Sequence, residues 1–211
     1  MIKYNVLERI ANSLPNKVSD TIKYVYFKNR AKRTLNKKNA KIPPLFSCIE
    51  IETINRCNES CPFCPANKNV DIREHKKMDD DLFNKIIYEL EKKKYCGSII
   101  LSLNNEPFLD ERIEEFAKQT KEALPNALVG IITNGTLLTL DRFKKIIPYL
   151  DSMVIDNYND SLKLNATTTI IHEYCKKKPE LNKKVIIKLI KKNTARNTRV
   201  RIPVGCGHQF R

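Results

Sequence analysis

The chain has 211 residues, of which 41% are apolar and 30% charged, and its formal net charge is +15. This composition excludes wholesale disorder, and the length indicates one domain, or one domain with an appendage. No apolar run reaches the roughly 18 residues of a membrane span, and the first thirty residues lack the uninterrupted apolar stretch of a secretion signal. We therefore expect a cytoplasmic protein without a transmembrane segment.

The positive charge is concentrated at the two ends of the chain. Residues 1–43 carry a net charge of +9 and residues 175–211 one of +11, whereas the centre is acidic. A basic protein can bind nucleic acid, but no recognised nucleic-acid-binding motif accompanies this charge. We interpret both ends as solvated lysine-rich segments and expect no specific nucleic acid as a partner.

The chain begins with a predicted basic helical leader over residues 1–43, which Pro43-Pro44 separates from the rest. From there, short apolar runs alternate with amphipathic stretches. Strands are predicted at Phe46–Ile54, Ser98–Leu103, Ala127–Thr133, Ser152–Asp156 and Val185–Ile190, with Arg199–Val204 as the one candidate for a further strand. Helices are predicted at Asp79–Lys93, Asp110–Ala123, Leu140–Leu150 and Leu162–Lys178.

Strands that alternate with helices predict an α/β fold with a parallel sheet. Polar residues follow each of the first four predicted strands, namely the cysteine-rich segment 57–64, Asn104-Asn105-Glu106, Asn134-Gly135 and Asp156-Asn157. Because the carboxyl ends of parallel strands meet on one face, we expect these loops to form an active site.

The cysteine-rich segment has the spacing C-x3-C-x2-C at Cys57, Cys61 and Cys64. Three thiolates on one loop can converge on one metal centre, and thiolates are the preferred ligands of iron–sulfur clusters. Three ligands would leave one iron of a four-iron cluster open to a small molecule. Two alternatives remain at this point: a zinc site completed by His75 or Cys48, and accidental clustering.

The segment resembles the signature of the radical S-adenosylmethionine (SAM) superfamily, C-x3-C-x-aromatic-C, with Phe63 at the aromatic position. The segments "IILSLNNEPFLD" and "IITNGTLL" are similar to the second and third strands of that family and the turns that follow them. The resemblance covers about residues 44–192, and its first segment is closest to the subgroup with SPASM-type extensions. Asn104-Asn105 replaces the Gly-Gly of the family pattern.

The resemblance implies that the three cysteines ligate a [4Fe–4S] cluster and that SAM chelates the fourth iron. Glu106 would meet the SAM amino group, and Phe63 would border the adenine. The implied cofactor-binding residues are Phe63, Asn105, Glu106, Asn134 and Asp156. A flavodoxin- or ferredoxin-like donor would reduce the cluster, and the resulting 5′-deoxyadenosyl radical would abstract hydrogen from a peptide or small-molecule substrate.

The implied fold is a partial (β/α)6 TIM-like barrel over residues 44–204, incomplete at its C-terminal end and followed by a tail over 205–211. Since a SPASM extension would need further cysteines, we expect a truncated product. The alternatives from other classes are a non-catalytic zinc- or nucleic-acid-binding module and an inactive fragment of a longer radical SAM protein. Cys96 and Cys175 are expected to be packing residues.

Overall fold

The computed structural model describes residues 46–66, 68–69, 71–192 and 199–202. The predicted leader, both predicted domain boundaries and the tail lie outside these residues. The strands are β1 (Cys48–Glu50), β2 (Ser98–Ile100), β3 (Leu128–Thr133), β4 (Ser152–Tyr158), β5 (Val185–Ile190) and β6 (Arg199–Ile202). The helices are α1 (Asp80–Lys92), α2 (Ile113–Ala123), α3 (Leu140–Ile146) and α4 (Ala166–Lys176), with 3-10 turns at Pro107–Leu109, Ile147–Tyr149 and Pro179–Lys183.

The six strands form one sheet in sequential order, and the first five run parallel to one another. In the described part of the chain, β1 and β6 are the two edges, so the sheet is not closed. Helices α1 to α4 connect these five strands, as βαβ units require. The predicted α/β class is confirmed, and the open sheet is consistent with a partial TIM-like barrel.

The sixth strand differs from a sixth β/α unit, because β6 runs antiparallel to β5. Residues 191–198 alone separate the two strands. A parallel neighbour would need a crossover connection of about a dozen residues or more, whereas an antiparallel neighbour needs only a short one. The strand predicted at Arg199–Val204 is therefore present but reversed.

Several predicted elements are shorter in the structure, and proline accounts for one of the differences. Pro148 lies in a 3-10 turn, Ile147–Tyr149, so that α3 ends at Ile146, before the predicted Leu150. Helix α2 begins at Ile113, three residues after its predicted start. Cys96 is exposed, so its expected packing role is wrong, whereas Cys175 is buried. No helix within the described ranges has both the length and the apolar character of a membrane span.

The sheet has an apolar outer face and an inner face that mixes polar and apolar side chains. Outward-facing residues such as Ile99, Val129 and Ile187 are buried in the core, which the helices cover. Phe83 of α1 and Phe116 of α2 stack within this core, with their ring centroids 4.0 Å apart. On the inner face the strands carry both charged and apolar residues, namely Glu50, Asp156 and Lys188 together with Ile100, Ile132, Val154 and Ile186.

Gly135 lies two residues after the end of β3 and has a φ of +78°, a backbone conformation that other residues rarely adopt. A Cβ atom there would lie 2.7 Å from Ile155 Cγ2 and 2.8 Å from Thr168 Oγ1. Both the backbone conformation and the packing therefore require glycine. This turn starts the loop that reaches the cysteine-rich segment.

We expect Gly135→Ala to lower the free energy of unfolding by roughly 2 kcal/mol or more, because strain and overpacking add. Gly130→Ala is the matched control: the nearest atom to its Cβ is the flexible end of Ile100, and its φ is ordinary. Its cost should stay below about 1 kcal/mol. Urea unfolding followed by circular dichroism compares the two variants, and equal losses would contradict the argument.

Candidate metal and cofactor site

The three cysteines lie on the loop after β1 and line one cavity of about 260 Å³. Cys61 is buried, while Cys57 and Cys64 are half-buried. A tight turn joins the last two, because the backbone N–H of Cys64 donates to the Cys61 carbonyl over 3.0 Å. The backbone N–H of Glu59 donates to the Cys57 sulfur over 3.4 Å. The loop thus folds around its own cysteines.

Burial raises the pKa of the Cys57 thiol, and it raises that of Cys61 to about 11. The negative charge of Glu59 adds to the effect at Cys61, whereas the ammonium of Lys192 opposes it. Since metals bind the thiolate form, metal binding must displace these protons.

The arrangement of the thiols bears on which metal they suit. Among the residues described, no three His, Cys, Asp or Glu side chains are close enough together to hold a single metal ion. His75 and Cys48, the fourth ligands considered for zinc, are exposed and do not line the cavity. Three protein thiolates suffice for a four-iron cluster whose fourth iron binds a small molecule, whereas a structural zinc ion takes four protein ligands. Because neither fourth ligand considered for zinc lines the cavity, the three cysteines fit a cluster better than zinc.

Glu106 is the most buried carboxylate of the cavity, with 1% of its surface exposed. Its Oε1 atom accepts hydrogen bonds from the Thr133 hydroxyl over 2.7 Å and from the backbone N–H of Phe108 over 3.1 Å. Its Oε2 atom accepts one from the backbone N–H of Asn134 over 2.7 Å. Burial raises the pKa of Glu106, although these hydrogen bonds act in the opposite direction.

A carboxylate offers about four acceptor sites, and Glu106 uses three of them within the chain. The fourth acceptor site is available to a donor in the cavity, which agrees with the expected contact between Glu106 and the SAM amino group. The backbone N–H of Glu106 also donates to the carbonyl of Arg56 over 2.8 Å, immediately before the cysteine-rich segment. Arg142 of α3 supports the same turn by donating to the carbonyls of Phe108 and Asp110.

Asn134 lines the cavity, as expected, but both ends of its side chain are engaged within the protein. Its Nδ2 donates to Asn58 Oδ1 over 2.8 Å, and its Oδ1 accepts from the backbone N–H of Thr136 over 2.9 Å. The Asn58 amide in turn donates to the Thr136 hydroxyl. Asn134 therefore fastens the cysteine-rich segment to the loop after β3.

The Asn104-Asn105 pair forms its loop without the left-handed backbone that Gly-Gly would permit, since neither residue has a positive φ. Instead the backbone N–H of Asn104 donates to Glu52 Oε1 over 2.6 Å. The Asn105 Oδ1 atom accepts from the backbone N–H of Leu103, and its Nδ2 is buried in the protein without a hydrogen-bond partner. A ligand acceptor in the cavity would satisfy that donor.

Asp156 and Phe63 lie on the side of the cavity that β4 forms. Asp156 Oδ1 is 3.2 Å from the Lys188 ammonium, is buried and makes no hydrogen bond of good geometry. The Phe63 ring packs against Tyr158 with centroids 5.6 Å apart. All the residues predicted for the site, Cys57, Cys61, Phe63, Cys64, Asn105, Glu106, Asn134 and Asp156, thus line the same cavity.

The structure also reveals site residues that sequence reasoning missed. Lys192, just beyond β5, forms an ion pair with Glu59 of the cysteine-rich segment over 2.5 Å. Thr133 and Arg142 hold Glu106 and its turn. Sequence analysis selected polar residues directly after each of the first four predicted strands. Lys192 follows β5 in the same way, so including the fifth strand would have identified it. Arg142 lies within a helix and had no such signal.

The comparisons with known proteins agree with this geometry. A model of the radical SAM superfamily matches residues 51–210. The S-adenosyl-L-methionine-dependent 2-deoxy-scyllo-inosamine dehydrogenase of Niallia circulans is 33% identical over 102 residues, which are 48% of this chain and 40% of that protein. The tungsten-containing aldehyde ferredoxin oxidoreductase cofactor-modifying protein of Pyrococcus furiosus is 33% identical over 98 residues, covering 46% of this chain and 26% of that protein.

Among solved structures, BtrN in complex with AdoMet and 2-DOIA superposes with a TM-score of 0.58 at 26% identity. The match covers 69% of this chain and 57% of the BtrN chain. The chain spans less than half the length of the two curated relatives.

We expect the burial of Glu106 to make the stability of the ligand-free protein depend on pH. Because its folded-state pKa is raised, its contribution is fully present below the ordinary value of 4.5 and is lost as the pH rises through the raised value. The free energy of unfolding relative to Glu106→Gln, whose amide does not titrate, should therefore fall from about pH 4.5 upward. Urea unfolding at a series of pH values measures this difference, and a difference that grew with pH would contradict it.

We expect the ion pair between Lys192 and Glu59 to restrain the cysteine-rich segment. Lys192→Met should speed amide hydrogen exchange across residues 57–66 by about 2- to 10-fold, since a half-buried ion pair contributes about 1 kcal/mol. Lys178→Met is the control, because its pair with Glu180 is exposed and 4.0 Å long. Exchange measured by mass spectrometry should change in the first variant only.

Proposed function

The chain belongs to the radical SAM superfamily, whose members bind a [4Fe–4S] cluster and S-adenosylmethionine, and from this premise we propose that it starts a reaction by abstracting a hydrogen atom from its substrate. The single observation that carries the proposal is that the three cysteines and the expected SAM contacts line one cavity. Bound together, the reduced cluster and SAM supply the 5′-deoxyadenosyl radical. The chain itself binds and orients these groups.

We assign the cluster to Cys57, Cys61 and Cys64. Their position on one loop supports this, and so does the fact that neither His75 nor Cys48 is among the described residues that line the cavity. Asn134 and Lys192 keep this loop in position, through Asn58 and Glu59 respectively. Contacts of this kind to neighbouring elements fix the position of metal-binding side chains.

SAM is assigned to the part of the cavity between the cysteines and Glu106. The free acceptor site of Glu106 suits the SAM amino group, because a charge-assisted hydrogen bond to an ammonium also relieves the burial of the carboxylate. The unsatisfied Asn105 Nδ2 suits an acceptor on the ligand, and Asp156, which pairs with Lys188, also lines the cavity. Phe63 and Tyr158 offer an aromatic surface beside them.

The substrate is proposed to be a small polar molecule or a peptide side chain, and reduction is assigned to a flavodoxin- or ferredoxin-like donor. Similarity to a 2-deoxy-scyllo-inosamine dehydrogenase supports a polar small molecule. The cavity lining supports it too, since Glu50, Ser102 and Asp156 place polar groups among its apolar side chains. Membership of the SPASM subgroup stays a prediction.

Anaerobic reconstitution with iron and sulfide tests the proposal. The full chain should take up about four irons, and Cys57→Ala, Cys61→Ala and Cys64→Ala should each lose the cluster, because the three thiolates act together. Cys96→Ala is the matched control, since Cys96 is exposed and lies outside the cavity. Iron analysis and the visible absorption spectrum report the result.

The reconstituted chain should also bind SAM and, once reduced, release 5′-deoxyadenosine, which chromatography detects. One colourless zinc ion per chain in place of iron, or iron retained by Cys61→Ala and lost by Cys96→Ala, would refute the assignment.

A further inference from the structure

We propose that Glu50 binds a protonated amine of the substrate, and that the cavity therefore selects substrates carrying an ammonium group. This inference rests on the proposed function and names the substrate class of the same site. It follows from the carboxylates that line the cavity and from which of these carboxylates already pair with a lysine or accept hydrogen bonds within the protein.

Glu50 is the last residue of β1 and lies on the inner face of the sheet. Its side chain is exposed and lines the cavity that also contains the three cysteines. It makes no hydrogen bond and no ion pair with any residue that the structure describes. Its carboxylate is therefore available to a ligand without the loss of an existing contact.

The other carboxylates of the cavity already have partners. Glu59 is paired with Lys192, and Asp156 lies 3.2 Å from the Lys188 ammonium. Glu106 accepts three hydrogen bonds and keeps one acceptor site, which the proposed function gives to SAM. Glu50 is thus the carboxylate whose charge nothing in the described part of the chain balances.

The lining of the cavity favours a positive charge on the ligand. Four carboxylates line it, and none of its described lining residues is a Lys, Arg or His. Lys192 and Lys188 balance two of these carboxylates, Glu59 and Asp156, which leaves Glu50 and Glu106 without a paired cation. An ammonium on the ligand would complement this remaining negative charge, whereas an anionic group would be repelled by it.

Neutral polar groups on the same ligand would also find partners. The unsatisfied Asn105 Nδ2 is a buried donor that would pair with an acceptor on the ligand. Such a ligand is either an aminated polyhydroxylated ring or a peptide that presents a lysine side chain. Both present the same ammonium to Glu50.

Isothermal titration of the reconstituted full chain with SAM bound tests the inference. The probes are 2-deoxy-scyllo-inosamine against neutral scyllo-inositol, and the tripeptide Gly-Lys-Gly against Gly-norleucine-Gly. In one of the two pairs the amine should bind more tightly than its neutral counterpart, and the pair that responds identifies the source of the ammonium.

Glu50→Gln should weaken binding of that amine by roughly 5- to 30-fold. This loss of affinity lies between the loss expected for an exposed ion pair and that expected for a buried charge-assisted hydrogen bond. Binding of the neutral probe and of SAM should stay unchanged. Because the exposed Glu50 side chain makes no hydrogen bond or ion pair with the residues that the structure describes, the variant should fold normally. Glu74→Gln is the matched control, since Glu74 is 78% exposed and lies outside the cavity.

Three results would overturn the inference while leaving the proposed function intact. They are equal binding of amine and neutral probes, an amine preference that survives in Glu50→Gln, and a loss of SAM binding in that variant as large as the loss of amine binding. A wild-type chain that takes up no iron or binds no SAM refutes the proposed function itself, and this inference with it.

Discussion

The buried carboxylate of Glu106 is the constraint on which the site depends. A carboxylate removed from water must receive hydrogen bonds or become neutral. Its donors come from its own turn at Phe108 and from the end of β3 at Thr133 and Asn134. Its backbone N–H is bonded to Arg56, just before the cysteine-rich segment. One residue thus joins the loops that follow the first three strands, so their relative positions are set together.

The same burial makes the ligand-free site electrostatically incomplete. It raises the pKa of Glu106 and those of Cys57 and Cys61, because all three groups have lost water that would stabilise their charged forms. A metal at the cysteines and a cation beside Glu106 would supply the missing stabilisation. The chain therefore favours the binding of positively charged groups at both positions.

The sequence was sufficient to predict the parallel sheet and the loops that form the cavity, whereas the individual cofactor-binding residues were implied by resemblance to the radical SAM signature. Apolar runs separated by amphipathic helices predicted the parallel sheet, and polar residues directly after the strands predicted the cavity. Sequence patterns of this kind do not predict contacts between side chains that are far apart in the chain. The ion pair of Lys192 with Glu59 joins positions 133 residues apart, and Arg142 reaches the Phe108 turn from a helix. The reversed direction of β6 was within reach of the sequence, because the predicted strands end at Ile190 and begin at Arg199 and so leave too few residues for a crossover.

Strand β1 contributes to both proposed parts of the reaction. Its last residue, Glu50, is proposed to hold the substrate amine, and seven residues later Cys57 begins the segment proposed to hold the cluster. Between them, Glu52 fixes the neighbouring loop by accepting from the backbone N–H of Asn104. A short, hydrogen-bonded connection of this kind keeps a bound substrate at a fixed distance from the cluster loop. A new substrate is therefore accommodated most easily by changing the inner-face side chain at position 50, since altering the connection itself would also move the cysteines.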